Sequence, residues 1–266
     1  MELQNILLAV KELALEVGAF IAEQREHFDL ERVESKHSHD YVSYVDKGSE
    51  QMIVARLKDI LPEAGFITEE KTVEQEDGKE ELFWVVDPLD GTTNFIHDLA
   101  PYCVCIALRN REEILLGVVY EVSRKELYSA AKGMGAYLND KPIHVSAIDD
   151  LDAALVMIGY PYNAEDWRQF CLNMTAQLYG HCASIRSFGS AEAELCYLAA
   201  GKIDVYFESF IQPWDVAAGA IILKEAGGTI TDYDGTDEKW ESGRQVLATN
   251  GLLHDAVLKE MQKAKP

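Results

Sequence analysis

The chain has 266 residues, with 24 Lys and Arg against 46 Asp and Glu, a formal charge of −22 at pH 7. Such a surplus of carboxylates repels a phosphate backbone or an anionic leaflet, which argues against nucleic-acid polymers and membranes and leaves cations and small polar ligands as partners. The length fits one or two domains, and 48% hydrophobic with 9% aromatic residues supplies a sizeable core, which excludes a disordered acidic tail.

The start, Met1-Glu2-Leu3-Gln4-Asn5, has no basic segment, and no apolar run reaches a spanning length, so a cytoplasmic protein is expected. Cys103, Cys105, Cys171, Cys182 and Cys196 form no C-x-x-C pair and read as reduced, mostly buried thiols. Cys103 and Cys105 would share one face of a strand and pack in the core.

Residues 2–27 place Leu3, Leu7, Val10, Ala14, Val17 and Ile21 at alternating spacings of four and three, which predicts a helix with one apolar face. A polar stretch, 31–40, precedes a second helix expected from Asp46 or Lys47 to Ile60, which Pro62 ends. Residues 71–81 are polar enough to predict an exposed loop. Phe83–Val86, Tyr102–Leu108, Ile114–Val122 and Glu126–Ala131 are strand-like with short links, which predicts an antiparallel meander. Beyond residue 150 strands at 155–158, 185, 205–207, 229–232 and 245–248 alternate with helices at 166–179, 191–200, 215–226 and 252–263. Strands segregated early and interleaved late predict stacked mixed layers, with a break near residue 150 separating halves 1–150 and 151–266 that pack as one unit.

The most informative stretch is Trp84-Val85-Val86-Asp87-Pro88-Leu89-Asp90-Gly91-Thr92-Thr93-Asn94-Phe95. An apolar strand delivers Asp87, Pro88 stiffens the backbone, and Asp90 follows three residues later. Two carboxylates held close raise each other's pKa unless a cation lies between them, and Mg²⁺, with its oxygen ligands, is the ordinary solution. Gly91-Thr92-Thr93 adds close approach and consecutive N–H groups that favour a phosphate oxygen. Two other acidic places have simpler readings when taken alone. Asp215, in Gln212-Pro213-Trp214-Asp215-Val216-Ala217-Ala218-Gly219, reads as a helix N-cap, and Glu69-Glu70 as a solvated pair.

Taken together, Trp84–Asn94, Glu69-Glu70, and Trp214–Gly219 followed by Glu225-Ala226-Gly227-Gly228 resemble the inositol monophosphatase family of Mg²⁺-dependent, lithium-sensitive phosphatases. Asp40–Asp46, Arg186 with Gly189-Ser190-Ala191, and Gly201 with Asp204 fall in the same order. The resemblance implies a layered αβαβα sandwich with the site between its halves, two or three Mg²⁺ ions, and a homodimer. It implies that Glu69, Asp87 and the Leu89 carbonyl hold a first ion, that Asp87, Asp90 and Asp215 hold a second, and that Glu69 holds a third through water. It further implies that the Gly91 and Thr92 amides receive the phosphate, with Thr93 beside them, and that Thr92 with Glu69 orients the attacking water. Asp90, Ala191 and Glu208 would contact substrate hydroxyls, and Asp46 would order the Thr92 region.

Such ions offset the dianionic ester, lower the pKa of water and stabilise the leaving alkoxide. Several positions depart from the family pattern. Thr68 replaces a Gly before the acidic pair, which is expected to alter the approach of the Glu69 loop. Lys36 stands one residue closer to Asp46 than the corresponding lysine, and Glu192 and Glu194 are expected to add negative charge at the substrate rim. His37 and His39 read as exposed loop residues, and His97 lies at the edge of the site.

The Thr92-Thr93-Asn94-Phe95 ending resembles the inositol branch, so hydrolysis of myo-inositol 1-phosphate is the first expectation. Activity on a 3′(2′),5′-bisphosphate nucleotide, fructose 1,6-bisphosphate or NADP is the alternative within the same chemistry. A non-catalytic protein that binds cations or a polyol phosphate is the alternative from another class.

Overall fold

A computed structural model gives the fold and describes residues 2–28, 33–37, 40–75, 80–160 and 165–265; residues 34–37, 40–41 and 165–166 are described by their backbone alone. The periodic N-terminal segment forms α1 (Leu3–Glu26), followed by the antiparallel pair β1 (Glu34–His37) and β2 (Asp40–Val42). Next come α2 (Tyr44–Ile60), β3 (Gly65–Thr68), β4 (Leu82–Asp90) and the short α3 (Thr92–Ile96). The meander comprises β5 (Cys103–Asn110), β6 (Ile114–Glu121), β7 (Glu126–Ala131), β8 (Ala136–Leu138) and β9 (Lys141–Pro142). The remainder is β10 (Leu155–Ile158), α4 (Glu165–Leu178), β11 (Ser184–Arg186), α5 (Ala191–Ala199), β12 (Val205–Ser209), α6 (Ala217–Glu225), β13 (Thr229–Thr231), β14 (Gln245–Thr249) and α7 (His254–Ala264).

These strands make two large sheets. A 7-stranded sheet runs β3-β4-β5-β6-β7-β8-β9, antiparallel except where β3 joins β4. A 5-stranded sheet runs β11-β10-β12-β14-β13, with β10 parallel to both β11 and β12 and β14 antiparallel to both its neighbours. Helices α1 and α2 cover the outer face of the larger sheet, α5 and α6 lie between the sheets, and α4 and α7 cover the outer face of the smaller one. The architecture is the layered αβαβα sandwich.

Strand periodicity assigns side chains to layers. On β4, Phe83 and Val85 enter the inter-sheet core while Trp84 and Val86 face α1 and α2. On β5, Cys103 and Cys105 enter the inter-sheet core, as expected, and Val104 and Ile106 point the other way. Both faces of the sheet are buried, which is why its central strands read as continuous apolar runs rather than alternating ones. Among the described residues all five cysteines are free, and no helix is long and apolar enough to cross a membrane.

Two boundaries differ from the sequence reading for local reasons. Helix α2 begins two residues before Asp46, because Ser43 is the N-cap and Asp46 closes a reciprocal capping box with it. Strand β4 runs on through Asp87 and Pro88 to Asp90 instead of ending at Val86. The hairpin of β1 and β2, strand β3 and the small strands β8 and β9 carry little apolar periodicity and are absent from the sequence reading.

Leu13, 1% exposed, packs α1 onto the larger sheet. Leu13→Ala is expected to cost about 2–5 kcal/mol of stability by leaving a cavity, read as a lower urea midpoint with an unchanged slope.

Candidate active site

A bulge in β4 aims the first two acids. Asp87 lies opposite Cys105 and Asp90 opposite Cys103, so the register slips between them. In a regular strand, residues three apart face opposite sides. The extra residue puts Asp87 and Asp90 on the same face as Cys103 and Cys105, toward α5 and α6. The Leu89 N–H donates to Asp87 Oδ1 at 2.9 Å, which folds the Pro88-Leu89 turn around that carboxylate.

Gly91 turns the chain from β4 into α3. It has φ +91°, and a Cβ there would stand 2.8 Å from the Pro101 carbonyl oxygen, so both backbone conformation and space require glycine. The amides that open α3 lack intrahelical acceptors. The far end of α3 is held by Arg25, whose Nη1 donates to the Phe95 carbonyl at 2.6 Å and to that of Ile96 at 3.3 Å. Asn94 braces the same turn by donating to the Pro101 and Phe188 carbonyls at 2.9 and 2.6 Å.

Asp46 joins α2 to this turn. Its Oδ2 accepts from Ser43 N–H at 2.8 Å and from the Ser43 hydroxyl at 2.6 Å, while Oδ1 accepts from the Thr92 hydroxyl at 2.8 Å. The Thr92 hydroxyl also lies 3.1 Å from the Leu89 carbonyl oxygen. With its proton directed to these acceptors, the Thr92 oxygen presents its lone pairs to a donor such as water.

The remaining acids arrive from separate elements. Glu69 follows β3, with its N–H bonded to the Val86 carbonyl at 3.2 Å. Two buried contacts strap its loop down. Glu50 of α2 accepts from the amides of Glu70 and Thr72 at 2.7 and 2.6 Å and from the Thr72 hydroxyl at 2.7 Å. Gln75 accepts from Thr68 N–H at 2.8 Å and donates to its hydroxyl at 3.1 Å. The side chain of the buried Thr68 points to Gln75.

Asp90 rests on the N-terminus of α5, where Oδ2 accepts from the Ser190 hydroxyl at 2.7 Å and from Glu192 N–H at 2.8 Å, and Ala191 N–H also donates to the carboxylate. Asp215 ends a short 3-10 turn, Pro213–Asp215, and accepts from Gln212 N–H at 2.6 Å. It therefore closes its own turn and is not the N-cap expected from the sequence, since Val216 occupies that position ahead of α6.

These acids repel one another. Burial, then Glu69, Asp90 and Asp215, push Asp87 well above the usual carboxylate range. Burial, then Glu69 and Asp90, do the same to Asp215. Asp90 and Asp46 are each pushed up to about 6, mainly by burial and against the hydrogen bonds they accept. Among the described residues, none of the leading influences on these four groups is a cationic side chain. Among the described residues no three acidic, His or Cys side chains stand in metal-holding geometry. Asp87, Asp90 and Asp215 instead each turn an oxygen to a backbone amide.

The structure thus brings Glu69, Asp87, Asp90 and Asp215 within mutual electrostatic reach and sets Asp46, Leu89, Gly91, Thr92 and Ala191 around them. Thr93 follows in the first turn of α3. Glu208 borders the group, hydrogen-bonded by the Tyr206 hydroxyl at 2.7 Å and pushed up to about 7 by burial. Glu192 and Glu194 are not at the rim. Both are buried, Glu192 against the first amides of α6 and Glu194 against Phe188 N–H at 2.5 Å. His97 is exposed at the end of α3, while His39 and the side chains of Lys36 and His37 lie outside the described residues. The supporting roles of Ser43, Glu50, Gln75 and Glu192 escape sequence reasoning, those of Glu50 and Glu192 because each acts across 20 or more residues and that of Gln75 because it sits in a polar loop. Only Ser43, three residues before Asp46, carries a local signal, that of a capping box.

A layered sandwich with acids gathered on a bulged strand and a glycine-led turn is the architecture of a metal-assisted phosphatase fold. The sequence matches the inositol monophosphatase family over residues 2–265, and the chain belongs to that family. It is 37% identical to Nus factor SuhB of Escherichia coli strain K12 over 249 residues, covering 94% of this chain and 92% of that one. Among solved structures it is similar to the extragenic suppressor protein suhB of Bartonella henselae, with TM-score 0.90, 31% identity and 98% of each chain covered. It is also similar to the inositol monophosphatase of Anabaena, with TM-score 0.88, 33% identity, 99% of this chain and 97% of that one covered.

Carboxylates with raised folded pKa bind more protons in the folded than in the unfolded chain, so their contribution to stability falls as pH rises through about 6. In chelator, the melting temperature is expected to drop between about pH 5 and pH 7 by more than in Asp90→Asn. That variant keeps an oxygen for Ser190 and Glu192 and should melt above the native protein at neutral pH, by about 2–4 °C for each kcal/mol of repulsion relieved. Equal pH slopes for the two proteins would contradict this electrostatic reading.

Proposed function

We propose that this chain hydrolyses a small polyol phosphate monoester, myo-inositol 1-phosphate first among them, with two or three Mg²⁺ ions in the site. The observation that carries the reading is the set of four acids, Glu69, Asp87, Asp90 and Asp215, within mutual reach, burial and the other carboxylates being what raises Asp87, Asp90 and Asp215. Their hard oxygen donors, with the Leu89 carbonyl, suit Mg²⁺ better than a soft or nitrogen-preferring metal. Bound there, divalent ions supply positive charge against a dianionic ester and activate water for in-line attack.

The protein's own residues do the positioning. Glu69, Asp87 and the Leu89 carbonyl are assigned to one ion and Asp87, Asp90 and Asp215 to a second, with Glu69 near a third. The amides of Gly91 and Thr92, with Thr93 next in the turn, receive phosphate oxygens where the first turn of α3 is open. Thr92, its proton directed to Asp46, accepts a hydrogen bond from water and orients it together with Glu69. Asp90, Ala191 and Glu208 face the alcohol portion of the substrate, and the carboxylates of Asp90 and Glu208 select hydroxyls over a second phosphate. That selection favours a monophosphate over fructose 1,6-bisphosphate, NADP or a 3′(2′),5′-bisphosphate nucleotide.

The SuhB relatives carry the name Nus factor, which is not an enzyme name, so a binding role beside hydrolysis is a second reading for this chain. The net charge of −22 favours a protein over a nucleic-acid polymer as the partner in such a role.

Phosphate release from myo-inositol 1-phosphate is expected to require Mg²⁺, to collapse in Asp90→Asn, and to fall by about 100-fold or more in Thr92→Ala. The kcat/KM for the inositol ester is expected to exceed that for fructose 1,6-bisphosphate, NADP and a 3′(2′),5′-bisphosphate nucleotide. A higher kcat/KM for any of those would transfer the assignment to that substrate, and no turnover of any ester with Mg²⁺ present would leave the non-catalytic binder.

A further inference from the structure

Glu192 makes a connection that the family pattern does not predict for this position. It lies in the first turn of α5, is fully buried, and donates its backbone N–H to Asp90 Oδ2 at 2.8 Å. Its carboxylate reaches the neighbouring helix, where Oε1 accepts from Ala218 N–H at 2.9 Å and Oε2 from Gly219 N–H. Those amides lie in the first turn of α6, which Val216 alone separates from Asp215. The fit is tight on the α6 side too, because a Cβ on Gly219 would stand 2.5 Å from Glu192 Oε2 and 2.6 Å from Leu195 Cβ. One residue therefore holds the carboxylate of Asp90 by its main chain and the segment that carries Asp215 by its side chain.

Both contacts are specific to a carboxylate of this length. Two convergent N–H donors need two acceptor oxygens, which Glu offers and Gln does not, since one Gln terminus is itself a donor. Asp offers the acceptors with one carbon less of reach.

We propose that Glu192 is a positioning residue that sets the spacing between Asp90 and Asp215, and through it the affinity of the site for divalent cations. The proposal rests on the metal-site reading above and gives this chain a tether for its second ion site that operates through α5 and α6. Glu192 itself touches neither ion nor substrate; it acts by fixing the two acids that do. Loss of such a supporting contact typically weakens metal affinity by about 10–100-fold.

The test is calorimetric titration of the full chain with Mg²⁺ alone, without substrate, for the native protein, Glu192→Gln and Glu192→Asp, each first shown to melt cooperatively. The expected result is a Mg²⁺ dissociation constant raised about tenfold or more in Glu192→Gln and raised in Glu192→Asp as well. Half-saturating Mg²⁺ for phosphate release should shift by a matching factor, while kcat at saturating Mg²⁺ recovers most of the native value. If Glu192→Gln does not fold, the Glu192→Asp titration decides alone. A variant that melts earlier yet binds Mg²⁺ as tightly as the native chain would reduce Glu192 to a packing element and overturn the proposal. A native chain that binds no Mg²⁺ would overturn the metal-site reading itself, and this proposal with it.

Discussion

Like charges held out of water at the meeting point of elements distant in sequence set the terms for the rest of this structure. Asp87, Asp90 and Asp46 are nearly inaccessible to solvent, at 2%, 8% and 0% exposed, and Glu69 and Asp215 sit at the edge of the same group. Buried ionised groups are costly unless paired or bound to a counterion, and their separate hydrogen bonds to backbone amides only partly offset that cost. The fold meets the constraint by over-determining each acid. A bulge aims Asp87 and Asp90, a capping box holds Asp46, a 3-10 turn holds Asp215, and Glu50 with Gln75 straps the loop that carries Glu69.

The layered architecture follows from the same need. The acids come from β4, the loop after β3 and the turn before α6, and the layer of helices between the two sheets brings these together. Helices α5 and α6 supply more than apolar packing. The first turn of α5 meets Asp90 and that of α6 meets Glu192, so positive helix ends face negative charge. Small residues along α6, Ala217, Ala218 and Gly219, let α5 and the larger sheet approach closely enough for this to happen.

Much of this arrangement was legible in the sequence, and the reason differs from residue to residue. Asp87, Asp90 and Gly91 announce themselves because an apolar strand, a proline and a turn glycine are contiguous, and the resulting geometry is local. Helix α1 is legible because its apolar spacing is regular over many turns. Asp215 was placed in the right region but given the wrong local role, since a short 3-10 turn and the first turn of a helix look alike in sequence. Glu192 and Glu194 were misread because charge ordinarily marks solvent. Here each carboxylate is buried against backbone amides that belong to other segments, which no local pattern records. The long-range strap from Glu50 is invisible for the same reason, and the Gln75 partner of Thr68 sits in a polar loop that carries no local pattern.

The central claim is that these carboxylates are built to be completed by divalent cations. It is tested most directly by anomalous diffraction from crystals grown with Mn²⁺ in place of Mg²⁺. The account predicts anomalous peaks bounded by Glu69, Asp87, Asp90 and Asp215, with Asp87 shared between two of them and the Leu89 carbonyl oriented toward one. Crystals saturated with Mn²⁺ that show no peak among these four side chains would contradict it.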